Sequence, residues 1–292
     1  MEFRRPIVSG QFYASNAEEL KEEISKSFLS KFGVRKIPKI VEKEELIGAV
    51  SPHAGYFFSG ACASHTYYRI SQSKKPDVFL IFGVNHNGIG KNVATSVLNW
   101  RTPLGEVKVD QEFARALTKN KVVEIDEIAH QYEHSIEVQL PFLQFIFGDF
   151  KFCPICFQNI SFEDCEKVAE EVLTIKREMK KKITMIASSD FTHYGYGYGY
   201  VPFSGSIEDV RKKLYELDER AIKYILKLDA KGFYDYVTSQ EMTICGYIPI
   251  TVLTILANKL GAKKGELLKY YTSGDVIGDY RNAVGYASIA IY

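Results

Sequence analysis

The chain's six histidines and five cysteines are the residues best suited to hold a metal ion or move a proton. Their positions are uneven. His53 follows the apolar run "LIGAVSP", His86 follows "DVFLIFGVN", and Asp190 and His193 follow "ITMIASS". Neutral imidazole ligates zinc, iron or copper, and it titrates in the range useful for proton transfer. A single histidine past a strand is usually a hydrogen-bonded loop residue. Three in equivalent places point instead to a shared site, because loops converge beyond the carboxyl ends of parallel strands. Cys245, in "SQEMTICGYIPI", could add a thiolate to such a set, although from spacing alone a lone cysteine is more often a small buried hydrophobe.

A rival motif is His130-Gln131-Tyr132-Glu133-His134, which fits H-x-x-E-H, the inverted zinc-protease pattern. On a continuous helix both histidines fall roughly 120–160 degrees from the sector of Ile136, Leu140, Leu143 and Phe147. Chelation is then sterically possible, but no third ligand stands out downstream, and Pro141 interrupts the helix. His134 is better read as lining a pocket or supporting a ligand from behind. Cys153 and Cys156 form a C-x-x-C inside an apolar strand-like run without a second pair. Residues three apart on a strand face opposite ways, so burial is expected. Cys62, Cys165 and His65 fall in helical patterns and read as structural.

Those residues need elements to position them, and strand-like and helix-like segments alternate. "LIGAVSPH", "DVFLIFGVNH", "FKFCPICF" and "ITMIASSDFTH" read as strands. "SGACASHTYYRI", "DQEFARALTKN", "SFEDCEKVAEEVLTIKREMKKK" and "IEDVRKKLYELDERAIKYILKL" read as helices. Asp110 is a candidate cap, and Ser15 with Glu18 forms a capping-box pattern before the first helix. The expected fold is α/β, a mixed, largely parallel sheet with helices on both faces. "NHNGIGKNVATSVLNWRTPLGEVKV" reads as a loop with a hairpin. "YGYGYGYVPFSG" reads as a surface loop or as an aromatic flap over a pocket. "ELLKYYTSGD" and "AVGYASIAIY" are late strands, the second expected at an edge where it could pair between subunits.

Length and composition narrow the classes. At 292 residues, 46% hydrophobic and 13% aromatic, the chain suits a single domain over 1–292 with a large core. A formal net charge of +1 gives no global field for nucleic acid or an anionic membrane. Lys180-Lys181-Lys182 reads as a solvated helix end. The charged N-terminus "MEFRRPIVSGQF" lacks a signal-peptide core, and no run approaches the ~18 apolar residues of a membrane span. A cytoplasmic protein is expected. Five scattered cysteines suggest no disulfide framework.

In order along the chain, "RRPIVSGQFY", "SPHAGYFFSG", "FGVNHNG", "EHSIEVQLPFL", "SSDFTHYG", "LDERAIKYI" and "TICGYIPI" resemble the motifs of the Memo family. Its microbial members are called protein B of the AmmeMemoRadiSam system. The resemblance covers nearly the whole chain. It implies the fold of class III extradiol dioxygenases, with one transition-metal ion (iron, copper or zinc) on His53, His86 and Cys245. It also implies His193 as the counterpart of the dioxygenases' catalytic base, with Asp190 in the same pocket. The dioxygenases carry glutamate where Cys245 stands, and thiolate is softer, which puts ring cleavage in doubt. The expected activity is a metal-dependent oxidation of a small aromatic or redox-active substrate. The alternatives are a non-catalytic pocket for a peptide or phosphotyrosine, and a zinc hydrolase. The expected partner is a small molecule or peptide, not nucleic acid or membrane; an oligomer is possible.

Overall fold

A computed structural model describes residues 3–43 and 45–292. Four parallel strands form its heart: β1 (Gly48–Ser51), β2 (Val78–Val84), β3 (Lys151–Phe157) and β4 (Ile183–Ser188), in spatial order β3-β2-β4-β1. Every position of β1 and β4 is buried, as are six of the seven in β2. That is the pattern of strands covered on both faces. The long strand β6 (Asn282–Ile291) lies antiparallel beside β1, and β5 (Gly265–Thr272) pairs with the other side of β6. A hairpin of Asn99–Thr102 and Gly105–Val109 extends the sheet at the far end. The alternating architecture is the α/β sandwich expected, with a mixed sheet and a parallel centre.

Helices α1 (Ala17–Leu29) and α2 (Tyr56–Gln72) pack together, with α2 against β1, β5 and β6. Helix α5 (Tyr247–Lys259) lies across β1, β2 and β4 and meets α3 (Phe162–Met179). Ten of the thirteen residues of α5 are buried, from Ile248 to Ala257, because sheet and helices enclose it. Helix α4 (Ile207–Leu226) packs against β5 and β6. Among the described residues no helix is long and apolar enough to cross a membrane.

Four expectations need correction. The first helix is capped by Asn16, whose side chain accepts from Glu19 N, one residue after the Ser15–Glu18 pattern. Helix α3 ends at Met179, yet Lys181 is not a solvated charge: it bonds the buried Asp110 at 2.6 Å. The segment carrying "HQYEH" is not one helix. A short α-helix stops at Gln131, and after a turn a 3-10 segment at Glu137–Gln139 leads into a second α-helix from Leu140, with Pro141 in its first turn. The C-terminal strand β6 is interior to the sheet, paired on both sides and buried from Ala283 to Ile291, so it offers no edge to a second subunit. A strand's neighbours come from distant sequence, which local pattern does not encode.

Candidate metal centre

Because β1, β2 and β4 run parallel, their carboxyl ends meet at one rim of the sheet. His53 stands two residues past β1, His86 two past β2, and Asp190 two past β4. Their side chains line one cavity of about 910 Å³, together with His134 and His193. The rings of His53 and His86 lie 5.3 Å apart, those of His53 and His134 5.4 Å, and those of His86 and His134 stack at 4.8 Å. One ring nitrogen from each of the three lies within 4.8 Å of the others, so this group could hold a metal ion. Cys245 reaches the same place: its Sγ is 3.1 Å from His53 Nε2.

Close backbone contacts bring these groups together. Cys245 precedes Gly246, the N-cap of α5. A Cβ on Gly246 would lie 2.4 Å from Ser189 Cβ and 2.6 Å from Ser188 O, so only glycine lets the start of α5 press on the end of β4. Gly83 does the same for the His134 side. A Cβ there would lie 2.4 Å from Ile136 and 2.6 Å from Ser135 Oγ. Ser135 bonds both Val84 N and Val84 O, which holds the loop after Glu133 across the end of β2.

The hydrogen bonds also fix which ring nitrogens are free. Ser188 Oγ donates to Ser135 O, so toward His53 Nδ1 it acts as acceptor, at 3.0 Å. His86 Nδ1 faces the Glu133 carboxylate at 3.0 Å. His193 Nδ1 faces the carbonyls of Phe191 and Thr243 at 3.0 and 2.9 Å. In each ring Nδ1 carries the proton, and the neutral form keeps its lone pair on Nε2. The His53 lone pair points at Cys245.

Electrostatics follow from burial. His53, 2% exposed, is pushed well below the ordinary imidazole value by desolvation and by the neighbouring His86, His134 and His193; it stays neutral. Burial also lowers His134 and raises the Cys245 thiol and the Asp190 carboxyl. For His86 burial again disfavours charge, but contacts with Cys245 and Glu133 outweigh it and raise the imidazole. Burial opposes charge on Glu133 too, yet hydrogen bonds and the charges of His86 and His134 hold it at about 2. With the thiol raised, Glu133 is the anion that persists beside His86 at neutral pH. Asp190 accepts from His53 N at 2.8 Å and so braces the loop that carries the first imidazole. Imidazole nitrogen and sulfur donors suit zinc, iron or copper, not the oxygen-seeking magnesium or calcium.

His130 is elsewhere. It is fully buried edge-on to Trp100, outside the imidazole group. Cys153 and Cys156 are fully buried in β3, and Cys62 and Cys165 are buried too. His65 Nε2 is spent on Phe32 O. From the Tyr-Gly run, Tyr198 lines the cavity and meets His193 at 5.1 Å, while Tyr196 is 88% exposed. The run is therefore part wall and part surface.

The sequence reading gave no role to the N-terminal arm. Gly10–Ala14 form one side of the cavity, and Phe12 meets the His134 ring at 5.0 Å. Buried Glu137 holds the arm: it accepts from Ile7 N, Val8 N and Tyr13 OH and pairs with Arg4. Arg4 also donates to the carbonyls of His130 and Glu133. The cues were the pair of arginines at the N-terminus and the acid-rich "YEHSIE" stretch, but nothing local joins them.

The comparisons with known proteins agree with this architecture. The model of the family described as Memo-like protein matches residues 4–290. A MEMO1 family protein of Methanopyrus kandleri is 41% identical over 290 residues, covering 98% of each chain. One from Nitrosopumilus maritimus is 42% identical over 289 residues, again 98% of each. Among solved structures, an uncharacterized protein of Escherichia coli K12 shares the fold at a TM-score of 0.55 and 10% identity, over 85% of this chain and all of that one. By the family match along almost its full length, and by these relatives, the chain belongs to the Memo family.

Proposed function

We propose that this protein is a metal-dependent oxidoreductase for a small aromatic or redox-active substrate, with one iron, copper or zinc ion on His53, His86 and Cys245. The observation that carries the reading is the convergence of the His53 Nε2 lone pair, the Cys245 sulfur 3.1 Å away and the His86 ring, with both histidines lining a cavity large enough for a small substrate. When bound, iron or copper would supply Lewis acidity and one-electron chemistry, and zinc Lewis acidity alone. The protein's own groups then have separable tasks. His193, with its proton on Nδ1, presents Nε2 as a base to a substrate hydroxyl and can return that proton. Asp190 keeps the His53 loop in place. Phe12, Phe58, Tyr198 and Tyr286 wall the cavity and suit a flat ring.

The test is elemental analysis after anaerobic purification, followed by oxygen uptake across a set of catechols. Wild type is expected to retain about one ion per chain, and His86→Ala to lose most of it. Full retention in the variant would end the assignment. The triad of His53, His86 and His134 supports a second reading, since three imidazoles are a ligand set of catalytic zinc. Hydrolysis by the zinc-loaded protein without oxygen would favour it.

A further inference from the structure

We propose that Glu133 is the positioning residue of the metal centre, the group that orients His86 and places a negative charge directly behind it. The inference rests on the metal reading above and concerns which side chain makes that site strong.

In an H-x-x-E-H protease the glutamate must keep a free carboxylate oxygen to activate water. Here Glu133 is 1% exposed and its oxygens are committed. Oε2 accepts from His86 N at 2.7 Å. Oε1 accepts from His86 Nδ1 at 3.0 Å, from His134 N at 2.8 Å and from Ser135 N at 2.7 Å. One carboxylate thus ties the loop after β2 to the loop that carries His134. It holds His86 by both backbone and ring, and His134 Nδ1 lies 3.5 Å from Oε1.

The partners of the other rings make this arrangement asymmetric. His53 is backed by a neutral hydroxyl, Ser188, and His193 by two carbonyls, while the Glu133 carboxylate stands within hydrogen-bond distance of His86 Nδ1, at 3.0 Å, and farther from His134 Nδ1, at 3.5 Å. The guanidinium that bonds this segment does not pair with that carboxylate. Arg4 pairs with Glu137 and reaches Glu133 only through the backbone carbonyl. The charge of Glu133 therefore acts on the imidazoles. A carboxylate behind a ligating imidazole fixes its tautomer and raises its donor strength. His86 becomes the strongest nitrogen donor of the set.

Cobalt(II) is the probe, with affinity read by chelator competition for wild type, Glu133→Gln and Glu133→Asp. The amide keeps the shape and loses the charge; its affinity is expected to fall about 10–100-fold. The aspartate keeps the charge and is expected to recover much of that loss. In copper-loaded protein, Glu133→Gln should move the reduction potential to more positive values, a change that loosened packing would not give a fixed sign. Nitrogen NMR of zinc-loaded wild type adds a measurement that needs no variant: His86 should ligate through Nε2 and retain its proton on Nδ1. Cobalt binding by Glu133→Gln as tight as wild type overturns the proposal alone, as does ligation through His86 Nδ1. A wild type that takes up no cobalt brings down the metal reading itself, and this inference with it.

Discussion

At the scale of single residues, the centre is set by what lies behind each imidazole. A histidine can offer either nitrogen, and the choice is made by the partner of the other. Ser188, Glu133 and the Phe191 and Thr243 carbonyls make that choice for His53, His86 and His193. An ion held on His53 and His86 would take its third donor from Cys245 or His134, and the two differ in a visible property. A thiolate on cobalt(II) gives strong near-ultraviolet charge-transfer absorption, and imidazole does not. Cys245→Ser is expected to abolish that band, and His134→Ala to keep it with a weaker affinity. A band that survives Cys245→Ser would remove the sulfur from the set. His53, His86, Asp190 and His193 could be found in the sequence because each sits just past an apolar strand. Glu133 and Ser188 could not. They act across 47 and 135 residues, and a carboxylate beside two histidines resembles a water-activating base until its hydrogen bonds are known.

At the scale of elements, the strand–helix alternation was readable because burial on both faces leaves continuous apolar runs in β1, β2 and β4. The break after Gln131 was not readable. Past it Glu133 bonds both the backbone and the ring of His86 on the loop after β2, a tertiary contact that local helix propensity does not encode. Two joints follow from the same close packing. Gly246→Ala would push a Cβ into Ser189 and lift the start of α5 from β4, and overpacking of this kind costs about 1–3 kcal/mol. Urea unfolding should show that loss, and cobalt affinity should fall with it because Cys245 moves too. Unchanged stability would mean that α5 has room to shift. The N-terminal arm is the second joint. Arg4 and Glu137 are 5% and 0% exposed, so Arg4→Met leaves a buried carboxylate without its cation. Breaking such a pair from one side costs about 3–5 kcal/mol. Limited proteolysis should then cut within residues 5–14 faster than in wild type; an equally resistant arm would show that the backbone bonds to Glu137 suffice.

At the scale of the whole molecule, distant segments of the fold are joined near the site by a buried acid. Asp218 on α4 is fully buried and accepts from Thr192 Oγ1 at 2.5 Å and from Tyr270 Oη at 2.6 Å. It thereby links α4, strand β5 and the residue next to His193. Burial lifts its carboxyl from 3.8 to about 6, against the pull of those hydrogen bonds. Between these two values the folded chain keeps a proton that the unfolded chain has released. The stability tied to that proton is fully present below pH 3.8 and is lost as pH rises through about 6. The span of roughly two pH units corresponds to about 2–3 kcal/mol. Other acids work in the opposite sense at lower pH, Glu133 among them, since its value is held at about 2 and its contribution is lost on acidification. Wild type alone would therefore mix both trends. The difference between wild type and Asp218→Asn isolates one, because asparagine mimics the protonated acid and does not titrate. Urea unfolding of both at pH 4 and pH 7 should show the variant gaining about 2–3 kcal/mol on wild type over that interval. A difference that stays constant with pH would mean that Asp218 is ionised in the folded protein throughout, with Thr192 and Tyr270 holding its charge.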